Sequence, residues 1–476
     1  MSKRNDLPDK LPDHWTWSTF GEMADYINGY GFSKSEWDED GRPIIRIQNL
    51  TGTGDSFNYF SGEIEDKYVV YPGDLLISWS ATLGAYIWHG EEAVLNQHIY
   101  KVEPHYHVDK KYLYYVAHFS DDELMRRSHG SGMKHVTKDV FNNFPIPLPP
   151  LPEQRRIVAR IEELFSNLDA GLNDLETTGR QLDRYRQSVL QAAVEGRLTA
   201  DWRRTHDPEP ADQLVERILQ ERRKQWEEDY RAKYEAKGKE PPSGWKSRYS
   251  EAEEPQPKSE MPSLPDSWQW VSLDQMLLED LRNGKSVRSK DGGFPVMRLT
   301  AINNGTIDTS ECKDGDWTKT EAEKFIIKQD DFFVARGNGS LSLVGRGGLV
   351  TQEPKQVAFP DTMIRVRVNA QFFQSQFLRI IWDSRVVRDQ IESAARTSAG
   401  IYKINQGDLR NTVLPLPPLA EQKQIVAEVE RLLSVADDTS YTVDREQSRA
   451  RRLRQSILKQ AFSGRLVSHE KSKHQA

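Results

Sequence analysis

A chain of 476 residues is longer than one ordinary core organises, and length alone points to roughly three domains. A single cysteine, Cys312, excludes a disulfide framework and fits a reducing cytosol. The opening MSKRNDLPDKLPDHW has no apolar core of signal-peptide type, and no later run reaches the roughly 18 uncharged apolar residues of a bilayer span, so a cytoplasmic location is expected. The net charge of −7 speaks weakly against indiscriminate nucleic-acid binding, but it is uneven: about −8 over residues 1–150, −3 over 151–260, +1 over 261–414 and +3 over 415–476.

In chain order, LPDHWTW (Leu11 to Trp17) opens a block of short β-like runs, PIIRIQNL, DLLISWS and AVLNQHIYKV, separated by Gly, Asn and Asp turns. A helical stretch follows, DKKYLYYVAHFSDDELMRRS, and then PLPPLPEQ, Pro147 to Gln154. Because each proline fixes φ and removes a backbone donor, that phrase reads as a polyproline II strut feeding a helix, with Pro152 in the first turn and Glu153 near the positive end of the dipole. The helix runs to Gly196. After it come a charged amphipathic stretch near Asp212 to Lys237 and the segment EPPSGWKSRYSEAEEPQPKSEMPS, whose composition reads as an exposed linker ordered only against a partner. LPDSWQW (Leu264 to Trp270) opens a second block with FPVMRL, DFFVARG, TMIRVRV and a helical QFFQSQFLRIIWDSRVVRDQI, closed by PLPPLAEQ at Pro415 to Gln422.

The chain is thus a duplication. With one ungapped offset of 268 positions, PLPPLPEQ falls on PLPPLAEQ, and RQSVLQAAVEGRL (Arg186 to Leu198) falls on RQSILKQAFSGRL (Arg454 to Leu466). Between opener and joint the likeness thins to fragments that set Arg46 on Arg298 and Asp74 on Asp331. Each post-joint helix has apolar residues at alternating steps of four and three: Ile157, Ile161, Leu164, Leu168, Leu175, Leu182 and Val189 in the first, Ile425, Val429, Leu432, Val443, Leu453 and Ile457 in the second. A heptad seam of about five repeats predicts a coiled coil, with Gly196 and Gly464 as left-handed caps. The alternative is two helices each packed on its own block. If the two pair antiparallel, the blocks lie at opposite ends of a rod with an approximate two-fold. The fold class expected is α+β: two mixed α/β blocks joined by two long helices in an antiparallel coiled coil.

Catalytic parts are missing. NGKS at Asn283 lacks the earlier glycine of a phosphate loop, and no Asn-Pro-Pro-aromatic or Asp-Pro-Pro-Tyr tetrapeptide of an adenine methyltransferase occurs. Glu103, His105 and His107 alternate on one face of a strand and could hold a metal, though surface polarity explains them as well; Glu65 to Lys67 resembles the tail of a nuclease motif on three residues only. No catalytic and no metal-binding residue is assigned. Two diverged blocks on a rigid rod suit instead a long, regular ligand such as DNA, whose dyad and half-site spacing such a protein would match.

The order opener, variable block, PLPPLxEQ, long helix ending in GRL, LTADWR, acidic linker and second copy resembles the specificity subunit of type I restriction-modification enzymes over nearly the whole chain. That resemblance implies a phage-defence protein that is not an enzyme: a sequence-specific double-stranded DNA reader in which each target-recognition domain reads half of a bipartite, asymmetric target. It further implies that the coiled coil sets the spacer and that the subunit docks two methyltransferase subunits and, through them, restriction and motor subunits. No cofactor is expected on this chain, with S-adenosylmethionine, ATP and Mg2+ in the partners. The domains expected are 1–150, first target-recognition domain; 151–200, central helix; 201–262, charged helix and linker; 263–414, second target-recognition domain; 415–466, C-terminal helix; and 467–476, tail. A non-catalytic coiled-coil scaffold that binds proteins is the rival.

On the family's DNA-facing loops the resemblance places Lys34, Arg46, Gln48, Ser78, Trp79, Ser80, Asn96, Gln97, His98, Ser131, Lys134 and His135 in the first domain. In the second it places Lys285, Arg288, Arg298, Thr300, Arg336, Asn338, Ser340, Thr397, Tyr402 and Lys403. These residue types suit base edges: Arg for guanine, Asn and Gln for adenine, Ser and Thr for either. Arg336 is the foremost candidate for guanine, and its counterpart near Trp79 cannot make a bidentate contact. The acidic first domain departs from the usual basic DNA-binding surface; the preferred explanation is that methyltransferase partners supply much of the phosphate neutralisation.

Overall fold

The computed structural model describes residues 10–54, 56–80, 83–127, 136–207, 209–398 and 400–467. The chain divides into two compact units: one runs to Thr178 and resumes at Thr442, the other is Gly179–Tyr441.

In the first unit the opener strand Thr16–Thr19 pairs antiparallel with Pro145–Leu148, Trp17 opposite Pro147. The proline-rich joint therefore begins as a β-strand where a free strut was expected. Prolines fit because alternate residues of a strand point their N–H away from its single partner, and the outward Pro147 carbonyl accepts a 2.7 Å hydrogen bond from the Tyr112 hydroxyl. The same ladder in the second unit pairs Gln269–Ser272 with Val413–Leu416. Inside the first block a four-stranded antiparallel sheet runs Ala24–Asn28, Ile99–Pro104, Leu75–Ser78, Gly84–Ile87, and a mixed sheet runs Asn58–Phe60, Arg42–Ile45, Ala93–Leu95, Val69–Val70. The second block has a six-stranded sheet centred on Met363–Val366, Phe332–Ala335 and Gly347–Leu349, plus smaller ladders.

Two 44-residue helices, Leu151–Val194 and Leu419–Phe462, follow the joints; each is roughly 66 Å long at 1.5 Å per residue. They pack together antiparallel within each unit. In the first unit Ile157 and Ile161 share a core with Ile457, Leu458, Ala461 and Phe462, and Asp169 pairs with Arg454. In the second, Val189 meets Ile425 and Val429, Leu432 packs alongside, and Arg186 bridges to Asp437 at 2.5 Å. The seam ends thus merge with the block cores. Leu164, Leu168, Leu175 and Leu182 are half-buried and Val443 is buried, whereas Leu453 is 44% exposed. Leu453 and Leu175 line, with Leu168, Gly171 and Ala450, an open groove of about 490 Å³ between the helices of the first unit.

The joint's Glu-Gln pair explains why the phrase recurs. Gln154 is fully buried; its amide oxygen accepts from the Asp109 N–H and its nitrogen donates to the His107 and Pro149 carbonyls, at 2.8–3.1 Å. Gln422 does the same with the Gln374 N–H and the Phe372 and Pro417 carbonyls. Glu421, also fully buried, accepts from Trp268 Nε1 at 2.8 Å, from Thr199 Oγ1 at 2.6 Å and from Arg203. Glu153 meets His14 Nε2 at 2.8 Å. Each unit is closed by the GRL end of the helix from the other repeat: Gly196 lies on Pro265 and Trp268, Gly464 on Pro12 and Trp15.

Gly464 has φ +70°, and an added Cβ would come within 2.3 Å of the Pro12 ring. Gly464→Ala should therefore destabilise the first unit by about 1–2 kcal/mol. Gly171→Ala, mid-helix with nothing within 4 Å of the added carbon, should instead stabilise it by about 0.5–1 kcal/mol. Urea unfolding of both variants reads the contrast.

The segment between the repeats is docked, not a free linker. Ala211, Leu214 and Ile218 of the helix Ala211–Glu235 are buried against the second unit. Trp245 stacks on Tyr230 (5.1 Å, 11°) and Trp226 (5.7 Å, 26°), and Glu253 is tied by its N–H to Asp274 and by its carbonyl to Ser272 Oγ. Aromatic residues at steps of four, Trp226, Tyr230 and Tyr234, offset the polar composition that suggested disorder. Among the described residues, no helix is long and apolar enough to cross a membrane.

Candidate nucleic-acid interface

In the first unit the parallel strands Arg42–Ile45 and Ala93–Leu95 are in register with Ile45 beside Leu95, so the next residues, Arg46 and Asn96, emerge side by side. The Asn96 N–H donates to the Ile45 carbonyl at 3.1 Å. Arg46 lies 5.5 Å from the Trp37 ring and starts the short helix Ile47–Thr51 that carries Gln48. In the neighbouring sheet Ser78 is opposite Ile99, and the Trp79 N–H reaches the His98 carbonyl at 3.3 Å. The loop Gly29–Gly31 closes over these turns so tightly that a Cβ on Gly29 would sit 2.2 Å from the Asn96 carbonyl oxygen. Arg46, Gln48, Trp79, Asn96, Gln97 and His98 are therefore gathered at one set of strand ends.

Ser78 and Ser80 are buried, at 0% and 4% exposure, while Trp79 between them is half-exposed; only Trp79 of the three can present its side chain without rearrangement. Its indole donates to Asn28 Oδ1 at 3.2 Å and stacks on Tyr100 at 5.9 Å. Lys34 is exposed in the turn Lys34–Glu36. Ser131, Lys134 and His135 lie outside the described residues. The Ser33 hydroxyl and N–H hold the Glu36 carboxyl below its usual range, and those of Ser61 do so for Asp38, so this surface keeps its negative charge.

The second unit repeats the construction with other side chains. Ala335 is opposite Met363, the Arg336 N–H donates to the Thr362 carbonyl at 2.8 Å, and the Gly284 N–H reaches Met363. Arg336 thus occupies the place of Trp79, with Lys285 exposed just beyond Gly284. A three-stranded sheet of Arg396–Ser398, Ile401–Lys403 and Gly337–Asn338 sets Tyr402 between Thr397 and Asn338. Ser340 follows, its N–H bonded to Asn338 Oδ1. Arg298 sits where Arg46 does, after a parallel contact of Val296 with Ala358, but its Nε donates to the Cys312 carbonyl and Thr300 bonds Glu311. Arg288 is exposed and further along the same chain segment.

Four contributors are not visible in the sequence. Asn28 orients Trp79. Asp361 and Thr362 stand where Gln97 and His98 do, which only the strand register reveals. Arg396 pairs directly across from Lys403; like charges so placed repel, and both are exposed, an arrangement suited to an anion.

The motif residues without a place in these surfaces are accounted for locally. Lys67 pairs with Glu65 at 2.7 Å, and His105 Nδ1 lies 3.0 Å from the Glu22 carbonyl. Among the described residues no group of three His, Cys, Asp or Glu side chains could hold a metal.

The model of the type I restriction modification DNA specificity domain matches residues 12–178 and 265–439. The chain is 26% identical over 469 residues to the type I restriction enzyme EcoBI specificity subunit of Escherichia coli, covering 96% of this chain and 87% of that one. It is 24% identical to the EcoKI specificity subunit of E. coli K12, covering 96% and 90%, and 22% identical to the MjaVIII specificity subunit of Methanocaldococcus jannaschii, covering 96% and 94%. A chain solved in work on complex assembly and conformational transition of the type I R-M system superposes with a TM-score of 0.58 at 17% identity, covering 96% of this chain and all of that one.

Proposed function

Since the chain belongs to the family of type I restriction-modification DNA specificity subunits, we propose that its two target-recognition domains read two different half-sites of one bipartite DNA sequence. As a member of that family it is the DNA specificity subunit of a restriction-modification system, itself non-catalytic. In the proposed mechanism the exposed strand-end loops enter the grooves. Arg336 reads guanine through its two-pronged guanidinium, flanked by Asn338, Thr397 and Tyr402. Arg396, Lys403 and Lys285 neutralise phosphates and fix register. In the first domain Trp79, held by Asn28 and Tyr100, offers an apolar face where Arg336 offers donors, while Arg46, Asn96 and Gln97 supply polar readout. The observation that carries the reading is this substitution of Trp79 by Arg336 at one backbone position of two like-built domains.

The paired helices are proposed to set the spacer between half-sites. The subunit would scaffold two methyltransferase subunits and, through them, the restriction and motor subunits. Partner subunits of such systems use S-adenosylmethionine and ATP; Mg2+ is assigned to the partners as well. Methylome sequencing of cells carrying the complete system tests the reading: two dissimilar half-sites with one constant spacer are expected, and a single contiguous motif would refute it. Because the first domain is acidic, the isolated subunit should bind its target weakly and with strong salt dependence, and adding the methyltransferase subunits should tighten binding at least tenfold. Fluorescence anisotropy with and without those subunits measures this, and equal affinities would count against it.

A further inference from the structure

We propose that the second long helix supplies, from one exposed face, the DNA-phosphate contacts that the acidic first recognition domain lacks; this rests on the DNA-reading function above. On that helix Arg445, Arg449, Arg452 and Lys459 recur at steps of four, three and seven, which places them on one flank. That flank is about half a turn round from Arg454, which is committed inward, paired with Asp169 and lying over the Phe165 ring. The outer four are open: Arg445 and Arg449 are 61% and 73% exposed, and Arg452 and Lys459 are exposed too. Glu446 is the only acidic residue from Arg445 to Val467, and it bridges loosely to Arg445 and Arg449 at 3.3–3.4 Å. Among the described residues, Arg452 and Lys459 have no acidic partner.

The duplication provides an internal control. At the same positions 268 residues earlier the first long helix carries Thr177, Gln181, Arg184 and Gln191, and from Gly179 onward, which takes in the last three of them, that helix belongs to the second unit. The basic face therefore accompanies the recognition domain of about −8, residues 1–150, and is missing beside the one of about +1, residues 261–414. A protein partner would need apolar or aromatic anchors at the centre of its footprint. Between Arg445 and Lys459 this face has none, since the intervening outward positions are Ser448, Gln455 and Ser456; the exposed Tyr441 stands one turn before Arg445, at the edge of the patch and not at its centre. Phosphates need only cations, here spread over 14 residues or roughly 21 Å of helix.

The test is a salt titration of target binding by the assembled complex with its methyltransferase subunits. Neutralising the face (Arg445→Gln, Arg449→Gln, Arg452→Gln, Lys459→Gln) should lower the magnitude of the slope of log K against log salt by about 3–4 and leave the recognised sequence unchanged. The milder pair Arg452→Gln, Lys459→Gln should lower it by about 2, and a control triple on the docked segment (Arg231→Gln, Lys237→Gln, Lys239→Gln) should leave it as it is. An unchanged slope in the fourfold variant overturns the proposal while leaving sequence reading intact. Loss of co-purification with the methyltransferase subunits overturns it in favour of a protein interface. A parent complex that binds no bipartite target removes the function reading itself, and this inference with it.

Discussion

Replacing Arg336 by alanine should cost about 1–3 kcal/mol of discrimination at one base pair of one half-site, ten- to a hundredfold in relative affinity, and leave the other half-site as it was. Its backbone is fixed on both sides, N–H to Thr362 and carbonyl to the Ile404 N–H, so the substitution removes a reading group without moving the loop. Arg336→Lys should recover affinity but not selectivity, because an ammonium lacks the planar fork that matches guanine. Trp79→Ala should alter the other half-site only. Methylation assays against a library randomised at each half-site separate these outcomes, and a uniform loss over all sequences would assign Arg336 to phosphate instead.

Glu421→Ala should lower the stability of the second unit by about 3–5 kcal/mol, the range for removing one partner of a buried ion pair. The carboxylate is fully enclosed and serves three donors, the Trp268 indole, the Thr199 hydroxyl and the Arg203 guanidinium. Its loss leaves the Trp268 indole and the Thr199 hydroxyl without their acceptor where water reaches poorly, and leaves the Arg203 guanidinium with only the Gly196 carbonyl and the Thr199 oxygen. For a unit of this size that corresponds to a melting shift of roughly 10 °C. The matching change in the first unit, Glu153→Ala, should cost less, about 1–2 kcal/mol, because its partner His14 is 44% exposed and already solvated. Thermal denaturation of both variants compares them; equal shifts would mean that the half-buried Arg203 guanidinium adds nothing.

Much of this protein is legible in one strand of letters because its signals are local or repeated. The 268-residue offset, the helix caps at Gly196 and Gly464, both with φ near +70°, and the seam at Ile157, Ile161, Val189, Ile425 and Val429 follow from period and chemistry alone. What stayed hidden depends on distant pairing. Nothing near Pro147 says that Trp17 will lie across from it, so a strand looked like a strut. Ser78 and Ser80 share a polar composition with surface loops, yet they face inward by alternation about Trp79. The stacking of Trp245 on Tyr230 joins residues whose neighbourhood is mostly charged, and composition averages conceal it. The set proposed to face DNA follows from likeness to a family, whereas the adjacency of Arg46 to Asn96 and of Arg396 to Lys403 comes from strand register, which one sequence does not encode visibly.

The buried glutamines have a consequence for how such a protein changes over time. Gln154 and Gln422 grip the recognition domains through main-chain N–H and carbonyl groups alone, groups that nearly every amino acid offers alike. A clamp of that kind is blind to side chains. The side chains of the reading heads can accordingly change without loosening the mount, and a new target sequence costs the scaffold no redesign.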